Sequence, residues 1–82
     1  MVNHLQLQRA RVTLNLAISE AADLIGTVRS AISLFESGQM TSPDLSEKLR
    51  KLYESMGIEF GQNGQIGVRP DFMEALGSRR LH

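Results

Sequence analysis

The sequence has no cysteine, so neither a disulfide framework nor a thiolate metal site is open to it. Tryptophan is also absent, and the aromatic residues are Phe35, Tyr53, Phe60 and Phe72 alone. That is too few for the stacking platforms on which single-strand and RNA binders lay their bases. The histidines, His4 and His82, stand at opposite ends, where fraying is expected, which leaves no cluster for zinc. Apolar runs are a few residues long, far short of the roughly 20 that span a bilayer. No basic-then-apolar leader opens the chain. The expectation is a soluble, cytoplasmic protein with no membrane contact, no cofactor and no metal. Excess charge is missing too, since nine Lys/Arg meet nine Asp/Glu. A strongly basic domain would point to nucleic acid at once; in a balanced one the placement of charge on the surface decides.

What remains, in 82 residues, is one domain near the lower limit for burying a working core without staples. From about Asn3 to Asn15, Leu5, Leu7, Ala10, Val12 and Leu14 recur among polar residues, and Asn3 is placed to cap a helix. Ala17 to Leu24 reads as a short second helix, with Ala21, Ala22 and Ile25 inward and Gly26 just past its end. Thr27 is then the expected cap of a third helix, about Val28 to Ser37, closed by Gly38. Its inward residues are Val28, Ile32 and Phe35, which leaves Arg29, Ser30, Ser33 and Leu34 outside. Ser42, Pro43 and Asp44 start a fourth helix with a cap, a first-turn proline and a carboxylate at the positive end of the dipole. Leu45, Leu49, Leu52 and Met56 form its apolar stripe, Gly57 stops it, and Glu47 and Lys51 pair on its wet side.

The period changes at Ile58. IEFGQNGQIGV alternates with period two around an Asn-Gly turn, the pattern of a β-hairpin. A two-residue turn would pair Phe60 with Gly67 and Ile58 with Arg69, which scatters the apolar side chains. A three-residue loop, Gln62-Asn63-Gly64 with Gly64 left-handed, pairs Phe60 with Ile66 and Ile58 with Val68 and gathers all of them on one face. An isolated hairpin is marginal in water, so this face either packs on the helices or meets a second copy. After Pro70, Asp71 can cap a short helical turn with Phe72, Met73 and Leu76. The chain thus divides into helices over 1–57 and a hairpin with tail over 58–82, the expected dimerisation element, within one structural domain. Arg69, Arg79 and Arg80 are expected to be solvated.

A Gly-containing turn between two short helices is the helix-turn-helix arrangement. The run LQRARVTLNLAISEAADLIGTVRSAISLFESG, Leu7 to Gly38, resembles the Cro/C1-type (XRE) helix-turn-helix regulators, including lambdoid phage repressors. Leu7, Arg11, Leu16, Ala22, Ile25, Gly26, Ile32, Ser33, Glu36 and Gly38 fall on matching positions. The following Ser-Pro-x-Leu, the Gly-Ile-Glu-Phe end of the last helix and the Asn-Gly-x-x-Gly-Val-Arg stretch resemble a subgroup with a C-terminal hairpin. The resemblance covers about 65 residues and rests on a pattern that no single residue defines. It departs from the family at Ala17-Ile18, where relatives carry Ser-Gln, at Leu34, often polar in relatives, and at Asn15, where glycine is usual.

The resemblance implies a mainly α, four-helix lambda-repressor-like fold with a C-terminal β-hairpin and a short terminal helical turn. It implies a sequence-specific double-stranded DNA-binding transcriptional regulator, a repressor acting as a homodimer on a palindromic operator, and not an enzyme. Arg11 and Glu36 would form a partly buried ion pair joining the first helix to the end of the third. Arg29 and Ser30 would be the main readers of base edges, with Ser33 and Leu34 secondary. Leu34 can make only apolar contact, for example with a thymine methyl. Thr27, Ser37, Gln39 and Thr41 would hold phosphates. Ile58, Phe60, Ile66, Val68, Phe72 and Leu76 would supply the dimer contact. Zero net charge, with Ile18 and Leu34 on the expected DNA face, motivates an alternative: a protein-interaction module, such as an antitoxin or anti-repressor.

Overall fold

Asn3 caps the first helix in both directions. Its side chain accepts from the Gln6 N–H at 2.9 Å, while Gln6 Oε1 accepts from the Asn3 N–H at 3.0 Å. Two donors that the helix leaves without partners are thereby satisfied. In the computed structural model, which describes residues 2–69, this helix is α1 (His4–Thr13). It is followed by α2 (Ile18–Ile25), α3 (Arg29–Glu36), α4 (Pro43–Ser55), β1 (Ile58–Phe60) and β2 (Ile66–Val68). The fold is mainly α-helical with an antiparallel hairpin after the helices. Phe72 and Leu76, and the short helical turn expected around them, lie outside the described residues, as do Arg79 and Arg80.

Helices α1, α2 and α3 close with the same pair of backbone bonds. Asn15 and Leu16 donate to Val12 and Arg11, Gly26 and Thr27 to Asp23 and Ala22, and Gly38 and Gln39 to Phe35 and Leu34, all at 2.9–3.3 Å. Each closure turns on a left-handed residue, with φ of 58° at Asn15, 73° at Gly26 and 80° at Gly38. Asn15 adopts that conformation without being glycine. The closure of α2 also corrects the expected start of α3. The Thr27 N–H is bonded back to Ala22, so Thr27 completes α2, and Val28 becomes the N-cap of α3 with no side-chain cap bond. Val28, expected inward, is 64% exposed.

The core draws on every helix: Leu7, Ala10 and Leu14 from α1, Ala21 and Ala22 from α2, Ile32 and Phe35 from α3, and Leu45, Leu49 and Tyr53 from α4. Leu5 and Val12, expected in the α1 stripe, are half exposed or more, because the 7–10–14 spacing defines the buried face and they lie off it. Leu52 and Met56 pack at the edge of the core while Tyr53 takes its centre. On the wet side of α4, Glu47 binds Arg50 more closely than the expected Lys51, whose Nζ stays 3.9 Å away.

The hairpin has the expected register, Ile58↔Val68 and Phe60↔Ile66, around a loop in which Asn63 and Gly64 are both left-handed. Its apolar face packs on the helices of the same chain. Ile58 is buried, and Phe60, Ile66 and Val68 lie against the core. The face expected at a dimer contact is thus largely covered by the chain's own helices, Ile58 fully and the other three in part. Gln6 fastens the loop, its Nε2 donating to the carbonyls of Gly61 at 2.9 Å and Gln65 at 3.0 Å. Arg69, expected to be solvated, is half buried; its N–H donates to Gly57 O at 2.9 Å and its Nη2 to Glu54 O at 3.2 Å.

The two glycines flanking α3 make a test. At Gly26 an added Cβ meets nothing within 4 Å, so Gly26→Ala is expected to cost only the left-handed penalty, about 1–2 kcal/mol. At Gly38 a Cβ would meet His4 Cε1 at 3.3 Å and Nε2 at 3.4 Å, so Gly38→Ala should cost more. Urea denaturation of both variants measures the order; a larger loss for Gly26→Ala would contradict the geometry.

Candidate nucleic-acid interface

Residues 26–28 alone separate α2 from α3, and the left-handed Gly26 sets the angle between them. The inner side of α3 is fixed by Ile32, fully buried, and by Phe35 and Glu36, each 5% exposed. Those positions differ by three and four, one stripe of a helix. Arg29, Ser30, Ser33 and Leu34 therefore face solvent, as expected.

A buried carboxylate such as Glu36 is costly unless it is paired and fully hydrogen-bonded. Arg11 meets it with two parallel bonds, Nε to Oε2 at 2.7 Å and Nη2 to Oε1 at 3.0 Å. The remaining Nη1 donates to the Leu16 carbonyl at 2.8 Å, in the connection between α1 and α2. From the start of α1, the His4 ring contributes too, Nδ1 donating to the Glu36 backbone carbonyl at 2.9 Å. His4 is thus held in place rather than frayed. The hydrogen bonds to Glu36 raise the Arg11 pKa above its ordinary value, against the effect of burial. Tyr53 lies beneath the pair. Its burial, and next the Glu36 charge, push the phenol well above its ordinary pKa, while Arg11 opposes the shift. No described group lies within hydrogen-bond reach of the Tyr53 hydroxyl.

Charge on the outer surface is unevenly committed. On α4, Lys48 pairs with Asp44 at 3.3 Å, and Arg50 bridges Glu47 and Glu54. Arg9 reaches toward the Gly64 carbonyl at 3.4 Å. Within the helix-turn-helix, Glu20 and Asp23 are exposed, and Glu20 accepts from the Ala17 N–H at 2.8 Å. That bond partly replaces the cap that Ala17 cannot provide. Ile18 packs at the edge of the core. Among the described residues of this unit, Arg29 is the cation without a side-chain partner.

The expected phosphate contacts divide. Gln39 and Thr41 are exposed on the α3–α4 connection, and Thr27 is half buried at the turn. The Ser37 hydroxyl, exposed at the end of α3, donates to the Leu34 carbonyl at 3.0 Å. Leu24, Val28 and Leu34, at 59%, 64% and 42% exposure, add apolar area to the outer side of α2 and α3. Only Leu34 was singled out from the sequence; the other two follow from the placement of the turn. Among the described residues no helix is long and apolar enough to cross a membrane, and no three His, Cys, Asp or Glu side chains gather around a metal position. Comparison with protein families, curated proteins and solved structures found no match to this chain.

Removing one partner of the buried pair should be far worse than removing both. Arg11→Met leaves the Glu36 carboxylate and the Leu16 carbonyl without their donor and is expected to cost about 3–5 kcal/mol, and Glu36→Leu strands the Arg11 charge in the same way. The double variant Arg11→Met/Glu36→Leu should recover most of that loss. Denaturant unfolding of the two single variants and the double one gives the coupling; strictly additive losses would contradict it.

Proposed function

We propose that this chain is a sequence-specific double-stranded DNA-binding transcriptional regulator, a repressor that acts as a homodimer on a palindromic operator. The observation that best supports this reading is the first turn of α3. Arg29 and Ser30 stand there exposed, on a helix whose other side is held by Ile32, Phe35 and the Arg11–Glu36 pair. A rigid helix with a free arginine at its start suits the major groove, where Arg binds guanine O6 and N7 through two bonds. Ser33 and Leu34 would extend the contact by another turn. Gln39, Thr41 and backbone N–H groups near Thr27 would fix the register on phosphates. Repression would follow from occupancy of a promoter by two such helices, one per half-site and roughly 34 Å apart.

A homodimer is part of the proposal because a single short helix buries too little surface for useful affinity. Its contact would draw on apolar surface other than Ile58, with Phe72 and Leu76 as candidates.

A second reading, a protein-interaction module such as an antitoxin or anti-repressor, is favoured by one specific observation. Leu24, Val28 and Leu34 expose apolar area on the outer side of the helix-turn-helix, beside a single unpartnered cation. The two readings respond oppositely to salt, because DNA affinity falls as counterions compete for phosphates and an apolar protein contact does not weaken in that way.

Selection of bound duplexes from a random pool tests the proposal. The expected outcome is a symmetric motif with half-sites one helical turn apart. Arg29→Ala should weaken binding about 5- to 150-fold per half-site, from a loss of roughly 1–3 kcal/mol, and relax the preference at one base. A pool with no enriched motif, or a motif bound equally by Arg29→Ala, would overturn it.

A further inference from the structure

A cavity of about 600 Å³ opens where the N-termini of α1 and α4 meet the end of α3. That volume lies within the range of small-molecule sites. Val2, Phe35, Met40 and Pro43 supply apolar wall, and His4 and Ser46 supply polar edges. Of the other polar side chains around it, Asn3 is bonded to Gln6, Ser42 to the Leu45 N–H and the Glu47 carboxylate to Arg50, while the Thr41 hydroxyl stands at the rim. A charged ligand would therefore find no free counter-charge there.

His4 is the one ring among these polar groups. Its Nδ1 lies 2.9 Å from the Glu36 carbonyl, and a carbonyl can only accept, so Nδ1 carries the proton. In the neutral ring Nε2 is then a bare acceptor. The edge of the ring bearing Nε2 lies against Gly38, another lining residue, where a Cβ would come within 3.4 Å. Apolar wall with a ring acceptor and a few hydroxyls at its edge is the usual composition of a site for an uncharged organic ligand. We propose that this cavity binds a small, uncharged aromatic molecule carrying one N–H or O–H donor, of the indole or phenol class, with its ring against Phe35 and Met40 and its donor on His4 Nε2. The proposal concerns binding, and it stands whether or not α3 reads DNA.

Titration of the isotope-labelled chain with indole, followed by amide shifts, is the test. Saturable shifts are expected at residues 2–4, 35–42 and 46. Benzofuran, the same shape with ring oxygen in place of N–H, should bind about two- to tenfold more weakly for want of the hydrogen bond. Ser46→Phe, which fills the recess, should abolish the shifts while leaving a dispersed spectrum. No saturable shift with millimolar indole, or shifts centred elsewhere, would overturn the site. Equal binding of benzofuran would overturn the role given to His4, and that comparison needs no variant to fold.

Discussion

Arg11 holds three parts of the chain with one guanidinium. Two of its bonds go to Glu36 at the end of α3, and a third goes to the Leu16 carbonyl between α1 and α2. The position of α3 depends on this group because α3 is only 8 residues long and has no side-chain cap at its start. An isolated helix of that length would not persist in water. Ile32 and Phe35 give it burial, and the ion pair gives it a fixed rotation. Replacing such a pair by apolar residues is often neutral for stability, so its value here lies in orientation. The same residues that bury the inner side of α3 decide which residues face out.

What faces out is polar and nearly neutral. The cations of α4 are tied to its own carboxylates, and exposed ion pairs of that kind contribute little stability. They also leave little positive charge for a polyanion. If α3 enters a groove, discrimination would rest on Arg29 and the short polar side chains beside it rather than on a broad field. The exposed Leu24, Val28 and Leu34 belong to the same surface. A thymine methyl or a partner protein would each suit such apolar area, and salt separates the two.

Much of the fold was legible because several local rules agreed. The hairpin register followed from alternation alone, since the competing register would have scattered four apolar side chains. The Asn3 and Ser42 caps and the left-handed closures at Gly26 and Gly38 followed from residue type. The misses have equally local causes. Thr27 looked like a cap, but the closure of α2 had already engaged its N–H. Leu5 and Val12 counted as apolar in an imperfect stripe, and the buried Gln6 was missed because a polar residue gives no periodic signal. Its spacing from Asn3 was the one available clue, since a cap followed three residues later by glutamine makes a reciprocal box. Of the proposed site, the exposure of Arg29, Ser30, Ser33 and Leu34 was legible. The prior bond on Ser37 and the packing of the hairpin face onto its own helices needed three dimensions.

The central claim is that α3, locked from behind by the Arg11–Glu36 pair, offers its outer side to duplex DNA. Amide shift mapping of the labelled chain with a short mixed-sequence duplex at low salt tests it most directly. The largest shifts are expected over residues 27–34 and at Gln39 and Thr41, fading as salt is raised, with the hairpin and the outer side of α4 unmoved. Shifts centred on α4 or the hairpin, or a spectrum that the duplex leaves unchanged, would contradict it.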